Sequence, residues 1–365
     1  MSLTRYVYVW LDHNLNLRSK VKYTAEEPSW WQYDGSSTNQ AVAEQGNTEV
    51  YIKPVKKYRL SKFLNGMPQT LVLCETYLSD KTTPHPDNKR HGCANTMSSP
   101  EVQAADPWYG FELEFFIMSE KTGLPLGFVD KEPPEQGQFY CSIGGNNCFG
   151  RKIMDEFEAL CLMSGIGIVG SNAEVACGQW EYQIFGKGLT AADDVWASRY
   201  ILEMVAEKHG AYISWHPKPF VGCNGSGMHV NFSTVDMRDA KKGRTAIKDC
   251  IRNLSLRHKD HINVYGKHNE RRLTGLHETS SMEYFTHGIG TRNTSVRINH
   301  DTAKNWCGYI EDRRPASSCD MYSVVKIMAD TVILKVKDND KDNDKDNDKD
   351  NDNDNDNEDE TGAVV

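Results

Sequence analysis

Four separated segments of the chain alternate between apolar and chemically reactive side chains with a period of two. In residues 111–116, Glu112 and Glu114 alternate with phenylalanine and leucine. Successive side chains of a strand point to opposite faces, so this pattern predicts a strand with one apolar and one polar face. The same alternation recurs in three further segments: 180–184, 228–233 and 309–313. We expect one largely antiparallel sheet, apolar behind and carboxylate-lined in front.

The polar face of this predicted sheet collects oxygen and nitrogen ligands. Its members are Glu112, Glu114, Glu174, Glu181, Glu311 and His229. Neighbouring carboxylates repel each other and lose hydration, so they need a raised pKa, a basic partner or a metal ion. Carboxylates suit Mg²⁺ or Mn²⁺, and the histidine favours tolerance of Mn²⁺. The alternative is a set of unrelated solvent-facing strand surfaces.

The remaining periodicity divides the chain into four parts. Residues 5–23 predict a hairpin, and 49–55 and 71–77 predict strands, so residues 1–80 form a small β domain. Residues 81–90, rich in Pro, Asp, Lys and Asn, predict a linker. Strands alternate with helices in a larger domain over 91–336. Apolar positions at helical spacing predict four helices there: 151–163, 192–208, 245–264 and 321–334.

Charge is concentrated at one end of the 365-residue sequence, whose formal net charge is −9. Residues 337–365 contain 13 acidic residues and 4 lysines, which leaves 38 acids and 38 bases in the remainder. The balanced remainder gives no argument for nucleic-acid binding. The acidic repeat has almost nothing apolar to bury and is expected to be a disordered low-complexity tail.

Apolar runs and cysteine spacing bear on membrane association and on the cellular compartment. No run approaches the roughly 20 apolar residues of a membrane-spanning helix, and the first residues do not resemble a signal peptide. Ten cysteines are scattered without a Cys-x-x-Cys pair, which is typical of a reduced cytoplasmic protein.

One motif has the glycine spacing of a dinucleotide-binding loop. Residues 165–170 match G-x-G-x-x-G. That loop must follow a strand and open a helix, because the helix N-terminus holds the pyrophosphate. Here a predicted helix comes first and strand-like sequence follows, so nicotinamide or flavin binding is rejected.

The order of the polar motifs is similar to that of the glutamine synthetase family of the eukaryotic type, from about Tyr6 to Leu334. The matching segments are 34–38, 108–114, 172–175, 179–181, 224–229, 271–278, 291–297 and 311–315. The resemblance implies an α+β protein with a small N-terminal β-grasp domain. It also implies a catalytic domain whose largely antiparallel sheet forms a funnel backed by helices.

The resemblance implies two to three Mg²⁺ or Mn²⁺ ions per site. One metal, nearer glutamate, would be held by Glu114, Glu174 and Glu181. A second, between the phosphates of ATP, would be held by Glu112, His229 and Glu311.

Further roles are implied in the same way. Glutamate and phosphate would be positioned by Arg272, Arg292, Asn224 and the Gly225 backbone. Arg297 and Arg313, with Arg292, would neutralise charge during phosphoryl transfer, and Arg297 would also contact ATP. Asp34 and Glu278 would bind ammonium and take its proton, with Ser37 assisting. The nucleotide end would be lined by Trp108, Glu112, Asn231 and Ser233.

The implied reaction is ATP-dependent ligation of ammonia to L-glutamate through γ-glutamyl phosphate, a step of nitrogen assimilation. The implied assembly is a ring, pentameric or stacked as a decamer, with each small domain closing its neighbour's site. Two alternatives remain: a γ-glutamyl ligase for another amine, and an inactive relative that serves as a structural or regulatory ring.

Overall fold

The computed structural model describes residues 3–42, 46–60 and 67–336. The acidic segment 337–365, predicted to be disordered, lies outside the described residues.

A mixed five-stranded sheet is formed by the first 77 residues. Its strands are β1 (Thr4–Leu11), β2 (Leu17–Thr24), β3 (Trp31–Asp34), β4 (Glu49–Leu60) and β5 (Gln69–Tyr77). They lie in the order β2-β1-β5-β4-β3, with β1 and β5 parallel and the other pairs antiparallel. The predicted hairpin and two strands are confirmed. Strand β3 was not predicted, because it is short and leads directly into a polar turn.

The second sheet contains eight strands: β6 (Trp108–Ser119), β7 (Ile168–Ala173), β8 (Gln179–Lys187), β9 (Ala211–Ser214), β10 (Met228–Ser233), β11 (His287–Ile289), β12 (Val296–Ile298) and β13 (Ile310–Asp312). The order is β11-β12-β13-β10-β6-β8-β7, with β9 paired to β6. All pairs are antiparallel except β11 with β12. The four strands predicted from alternation are therefore immediate neighbours: β13, β10, β6 and β8.

The helices are α1 (Lys89–Met97), α2 (Pro100–Ala105), α3 (Arg151–Ser164), α4 (Gly188–Lys208), α5 (Gly243–Leu256), α6 (His258–Val264), α7 (His300–Asn305) and α8 (Met321–Val332). The prediction of one helix over 245–264 was wrong, because the chain leaves helical geometry at Arg257. The break redirects α6, so that His258 and His261 point into the protein. Helices α1, α2 and α7 were missed, because each is short and has few apolar positions.

The inner faces of the two sheets share one continuous core. Val7 and Leu71 of the first sheet belong to the same buried cluster as Phe111 and Leu113 of the second. Helix α4, predicted to be amphipathic, is buried over most of its surface. Within the described residues, no helix combines the length and apolarity needed to cross a bilayer.

Polar contacts join α4 to the first sheet and to α1. Asp194 accepts hydrogen bonds from Lys56 Nζ and from the Tyr58 hydroxyl, both at 2.7 Å. Arg90 Nε donates to Asp193 Oδ1 at 2.8 Å. The first sheet is thus attached to the helical layer by charge as well as by apolar packing.

Candidate active site

Strand register brings the predicted polar residues onto one face of the second sheet. His229 of β10 lies opposite Glu112 of β6, and Glu114 of β6 lies opposite Glu181 of β8. Directly paired residues of neighbouring antiparallel strands share a face. The predicted face is therefore confirmed as a continuous surface across four strands.

Glu112, His229 and Glu311 form a compact three-ligand group. One ligand atom from each lies within 4.8 Å of the others. His229 Nδ1 is 3.3 Å from Glu112 Oε2 and 3.5 Å from Glu311 Oε1. No other trio of His, Cys, Asp or Glu in the described part of the chain reaches this spacing. The trio is the one predicted to hold the metal between the nucleotide phosphates.

Positive partners already surround this trio. Arg297 Nη1 lies 3.1 Å from Glu311 Oε2, and Arg313 Nη1 contacts Glu311 Oε1. Burial acts to raise the pKa of Glu112, but the hydrogen bond and charge of His229 lower it to about 2. Glu112 is therefore held ionised.

Glu114, Glu174 and Glu181 form a second, wider cluster. Burial, followed by repulsion from Glu114, raises the pKa of Glu174 to about 7 and that of Glu181 to about 9. Neither Glu174 nor Glu181 forms an ion pair with any described residue. The cluster does not reach the 4.8 Å spacing of the first trio. Its charges lack the compensation that Arg297 and Arg313 give the first.

Two buried donors beside these clusters lack partners. Arg297 Nε and Ser226 Oγ are buried and make no hydrogen bond within the described residues. An unpaired buried donor costs free energy on the order of 1–3 kcal/mol, so both atoms fit a site that receives an external acceptor.

Arg272, predicted to position glutamate and phosphate, is buried and hydrogen-bonded to the loop after β13. It is 4% exposed, and its Nη2 donates to the carbonyl oxygens of residues 313–315 at 3.1, 2.7 and 2.9 Å. Its Nε donates to Asn269 Oδ1 at 3.0 Å. The side chain therefore fixes the loop after β13, and Nη1 remains for other contacts.

The segment around Gly225 packs closely against its neighbours. A side chain on Gly225 would place Cβ 2.3 Å from the Pro217 oxygen, so only glycine fits there. Asn224 N donates to Gln136 Oε1 at 2.7 Å, and Gln179 Nε2 donates to the Gly225 oxygen at 3.0 Å.

The region predicted to line the nucleotide contains a residue that sequence reasoning missed, Arg238. Its guanidinium lies 3.9 Å from the ring centroid of Trp108, and Nη1 donates to Ser233 Oγ at 2.9 Å. Asn231 Nδ2 donates to Glu112 Oε1 at 2.7 Å. Arg238 belongs to no motif, and only its contact with Trp108 would have identified it.

Glu278 lies on an exposed loop beside the acidic clusters. Its φ is 62°, in the left-handed region, and its carboxylate lies 3.3 Å from Arg292 Nη1. Tyr140, also missed from sequence, lies near this pair: the negative charge of Glu174 adds to burial in raising its pKa, and Arg292 opposes them.

Asp34, at the end of β3, and Ser37, in the turn that follows, belong to the first sheet and not to the second. Asp34 accepts hydrogen bonds from the hydroxyls of Ser36 and Ser37, both at 2.8 Å, and these bonds lower its pKa to about 2. None of the contacts of Asp34 or Ser37 with described residues reaches the second sheet. One chain therefore brings together the predicted residues of the second sheet and its loops, but not these two.

Comparison with known proteins agrees with this arrangement. Residues 90–334 match the family described as "Glutamine synthetase, catalytic domain". The chloroplastic leaf glutamine synthetase of Hordeum vulgare is 44% identical over 337 residues, 90% of this chain and 76% of the relative. The cytosolic isozyme 1-1 of Oryza sativa subsp. japonica is 43% identical over 337 residues, 90% of this chain and 93% of the relative. A putative glutamine synthetase of Acanthamoeba polyphaga mimivirus is 44% identical over 336 residues, 89% and 93% of the two chains. The chain belongs to the glutamine synthetase family.

Proposed function

We propose that the polar face of the second sheet is the active site of an ATP-dependent ligase that joins ammonia to the γ-carboxylate of L-glutamate. Glutamine, ADP and phosphate are the products. The observation that carries the proposal is the Glu112, His229 and Glu311 trio, adjacent to the uncompensated carboxylates of Glu174 and Glu181.

Divalent cations fit both acidic clusters. Glu112, His229 and Glu311 would hold one Mg²⁺ or Mn²⁺, and Glu114, Glu174 and Glu181 would hold one or two more. When bound, these cations would offset the negative charge of the phosphates and of glutamate. The raised pKa values of Glu174 and Glu181 support this assignment, because burial and then repulsion from Glu114 raise them, and a cation would offset that repulsion.

The charge carried by the phosphoryl group during its transfer explains why the reaction needs arginines at this site. A carboxylate is a poor electrophile, because its leaving group would be oxide. A γ-carboxylate oxygen therefore attacks the γ-phosphorus of ATP, and ADP leaves, which gives γ-glutamyl phosphate. Arg297 and Arg313, which both pair with Glu311, would stabilise the transferred phosphoryl group. The unpaired Nε of Arg297 would find a phosphate oxygen as acceptor.

Ammonium must lose a proton before its nitrogen can attack the acyl phosphate. We assign proton acceptance to Glu278, and ammonium attraction to Glu278 together with Asp34. Arg292 beside Glu278 would orient the acid and hold the glutamate end of the intermediate. Nitrogen attack on the acyl carbon then releases phosphate and forms the amide.

Asp34 and Ser37 would act on a neighbouring chain. Their exposed turn has only local contacts among the described residues, so it is free to meet another chain. We propose a ring, pentameric or stacked as a decamer, in which the β-grasp domain of one chain closes the funnel of the next. The cytoplasm is the proposed compartment, because all ten cysteines are unpaired.

An assay for glutamine and γ-glutamyl hydroxamate tests the proposal. Glu278→Ala should leave ATP binding nearly unchanged but remove glutamine formation, whereas Glu283→Ala, at a nearby exposed acid, should preserve it. Undiminished synthesis by Glu278→Ala would remove the ammonium-site assignment. Product with methylamine but not ammonia would favour another amine as substrate, and no ADP release with either would favour an inactive relative.

A further inference from the structure

Helix α5 presents a row of positive charges on its outer surface. Arg244, Lys248 and Arg252 are exposed and follow one another at intervals of four residues. Side chains four residues apart lie on the same face of an α-helix. The residues before 337 contain equal numbers of acids and bases, but α5 still presents one local basic surface.

This row borders a groove with an apolar floor. The groove has a volume of about 300 Å³ and lies between α5, strands β11 and β12, and the end of α7. Its lining is Lys248, Ile251, Arg252, Ser255, His287, Ile298 and Trp306. The guanidinium of Arg244 and the Lys248 ammonium lie 5.4 and 5.8 Å from the ring centroid of Trp306.

The charges of the row are largely unpaired. Arg252 lies 3.1 Å from Asp249, a pair exposed to solvent on both sides. Arg244 and Lys248 make no ion pair within the ranges that the structure describes. Solvent-exposed pairs of this kind are weak, so Arg252 also remains available to another anion.

Helix α8, the last described helix before the acidic segment 337–365, ends close to the C-terminal end of α5. Helix α8 ends at Val332, and Arg257, at the corner between α5 and α6, donates to Thr331 Oγ1 at 3.1 Å. Lys248 lies about 14 Å along the helix from Arg257. A 29-residue segment can extend to roughly 95 Å, so it can span the whole row.

We propose that the acidic repeat 337–360 docks along the α5 row of its own chain and covers the Trp306 groove. The repeat has a formal charge of −9 and places an acidic residue at nearly every second position. Its carboxylates would pair with Arg244, Lys248 and Arg252. Tethering gives an effective concentration in the millimolar range, so individually weak pairs suffice.

Carbodiimide cross-linking of the full chain followed by peptide mass spectrometry tests this docking. At low ionic strength, Lys248 should form amides with carboxylates of 337–360 on the order of tenfold more often than the exposed Lys121 and Lys152 do. Salt at about 0.5 M should remove that preference, because it screens exposed charges.

Two double variants test whether the cross-link depends on the positive charge of Arg244 and Arg252. Both keep Lys248, whose amine forms the cross-link. Arg244→Glu with Arg252→Glu should abolish the preferred cross-link, and Arg244→Lys with Arg252→Lys should retain it. Equal cross-linking of Lys248, Lys121 and Lys152 in the unmodified chain would overturn the proposal. So would cross-links that, in a mixture of ¹⁵N-labelled and unlabelled chains, join mainly different chains.

Discussion

Glu181 and Asp312 are buried carboxylates of the same sheet, yet their pKa values move in opposite directions. Burial and repulsion from Glu114 raise the pKa of Glu181, on the front face of β8, to about 9. Burial also acts to raise the pKa of Asp312, on the back face of β13, but Arg314 lowers it overall. The difference is therefore one of neighbours and not of burial.

The back face forms a closed hydrogen-bond network. Asp312 accepts from Arg314 Nε and Nη2 at 2.9 and 2.7 Å, and from the Tyr265 hydroxyl at 2.8 Å. That hydroxyl in turn contacts His261 Nδ1 at 2.5 Å, and His261 Nε2 contacts Thr331 Oγ1 at 2.8 Å. A network of this kind stabilises the fold and leaves no charge for a ligand.

The front face differs, because its acidic side chains outnumber the arginines that could neutralise them. Under the proposed assignment, the contrast separates a structural carboxylate, Asp312, from one that would bind a cation, Glu181. Where the protein pairs a buried charge internally, loss of the charge costs stability. Where it leaves the charge unpaired, loss of the charge costs binding.

The largest effect is expected at Asp312. Asp312→Ala should lower the free energy of unfolding by about 3–5 kcal/mol, because it leaves Arg314 buried and uncompensated. Urea unfolding followed by circular dichroism measures this, with Asp301→Ala on the exposed part of α7 as the control. Equal stability of the two variants would show that the back network is not structural.

The converse is expected at Glu181. Glu181→Gln should weaken Mn²⁺ binding by a factor on the order of 10² or more, while the metal-free protein unfolds at the same or a higher urea concentration. The amide removes a carboxylate that repels its neighbours. Calorimetric titration with Mn²⁺ and urea unfolding of the same sample measure both quantities. Marked destabilisation with intact Mn²⁺ affinity would reverse the assignment of the two faces.

A fall in pH should lower the free energy of unfolding through the protonation of His261 in the unfolded chain. Burial, followed by the charge of Arg314, holds its pKa well below 6.5 in the folded protein. The unfolded chain therefore binds a proton that the folded chain does not, and the free energy of unfolding falls as the pH drops through about 6.5. Urea midpoints from pH 8 to pH 5 measure the slope, which His261→Gln should reduce. An unchanged slope in the variant would assign the pH dependence to other groups.

The smallest change in stability is expected for the exposed pair of Glu278 and Arg292. Both side chains are about half exposed, so Glu278→Gln should change the free energy of unfolding by less than about 1 kcal/mol. Glutamine formation should nevertheless fall sharply. A large loss of stability would mean that Glu278 organises its loop instead of acting on ammonium.

Regular side-chain alternation predicted four of the eight strands of the second sheet. Strands β6, β8, β10 and β13 were all identified, because a period of two is visible in six residues. The helix over 245–264 was wrong, because nothing local to Arg257 signals a break that depends on the packing of α6. Arg238 and Tyr140 were missed because their significance comes from Trp108 and Arg292, which are distant in sequence.

The sequence by itself determined the side-chain chemistry of each strand, the family, and the concentration of acid in one segment. The strand chemistry and the acidic segment follow from composition and spacing, and the family follows from the resemblance of the motifs; none of them depends on contacts between distant residues. Only the tertiary structure decided that Arg297 and Arg313 pair with Glu311 of the predicted trio, while Asp312 at the adjacent position is paired to Arg314. Register and sheet order make that decision, because they determine which charges lie beside one another and which of them remain unpaired.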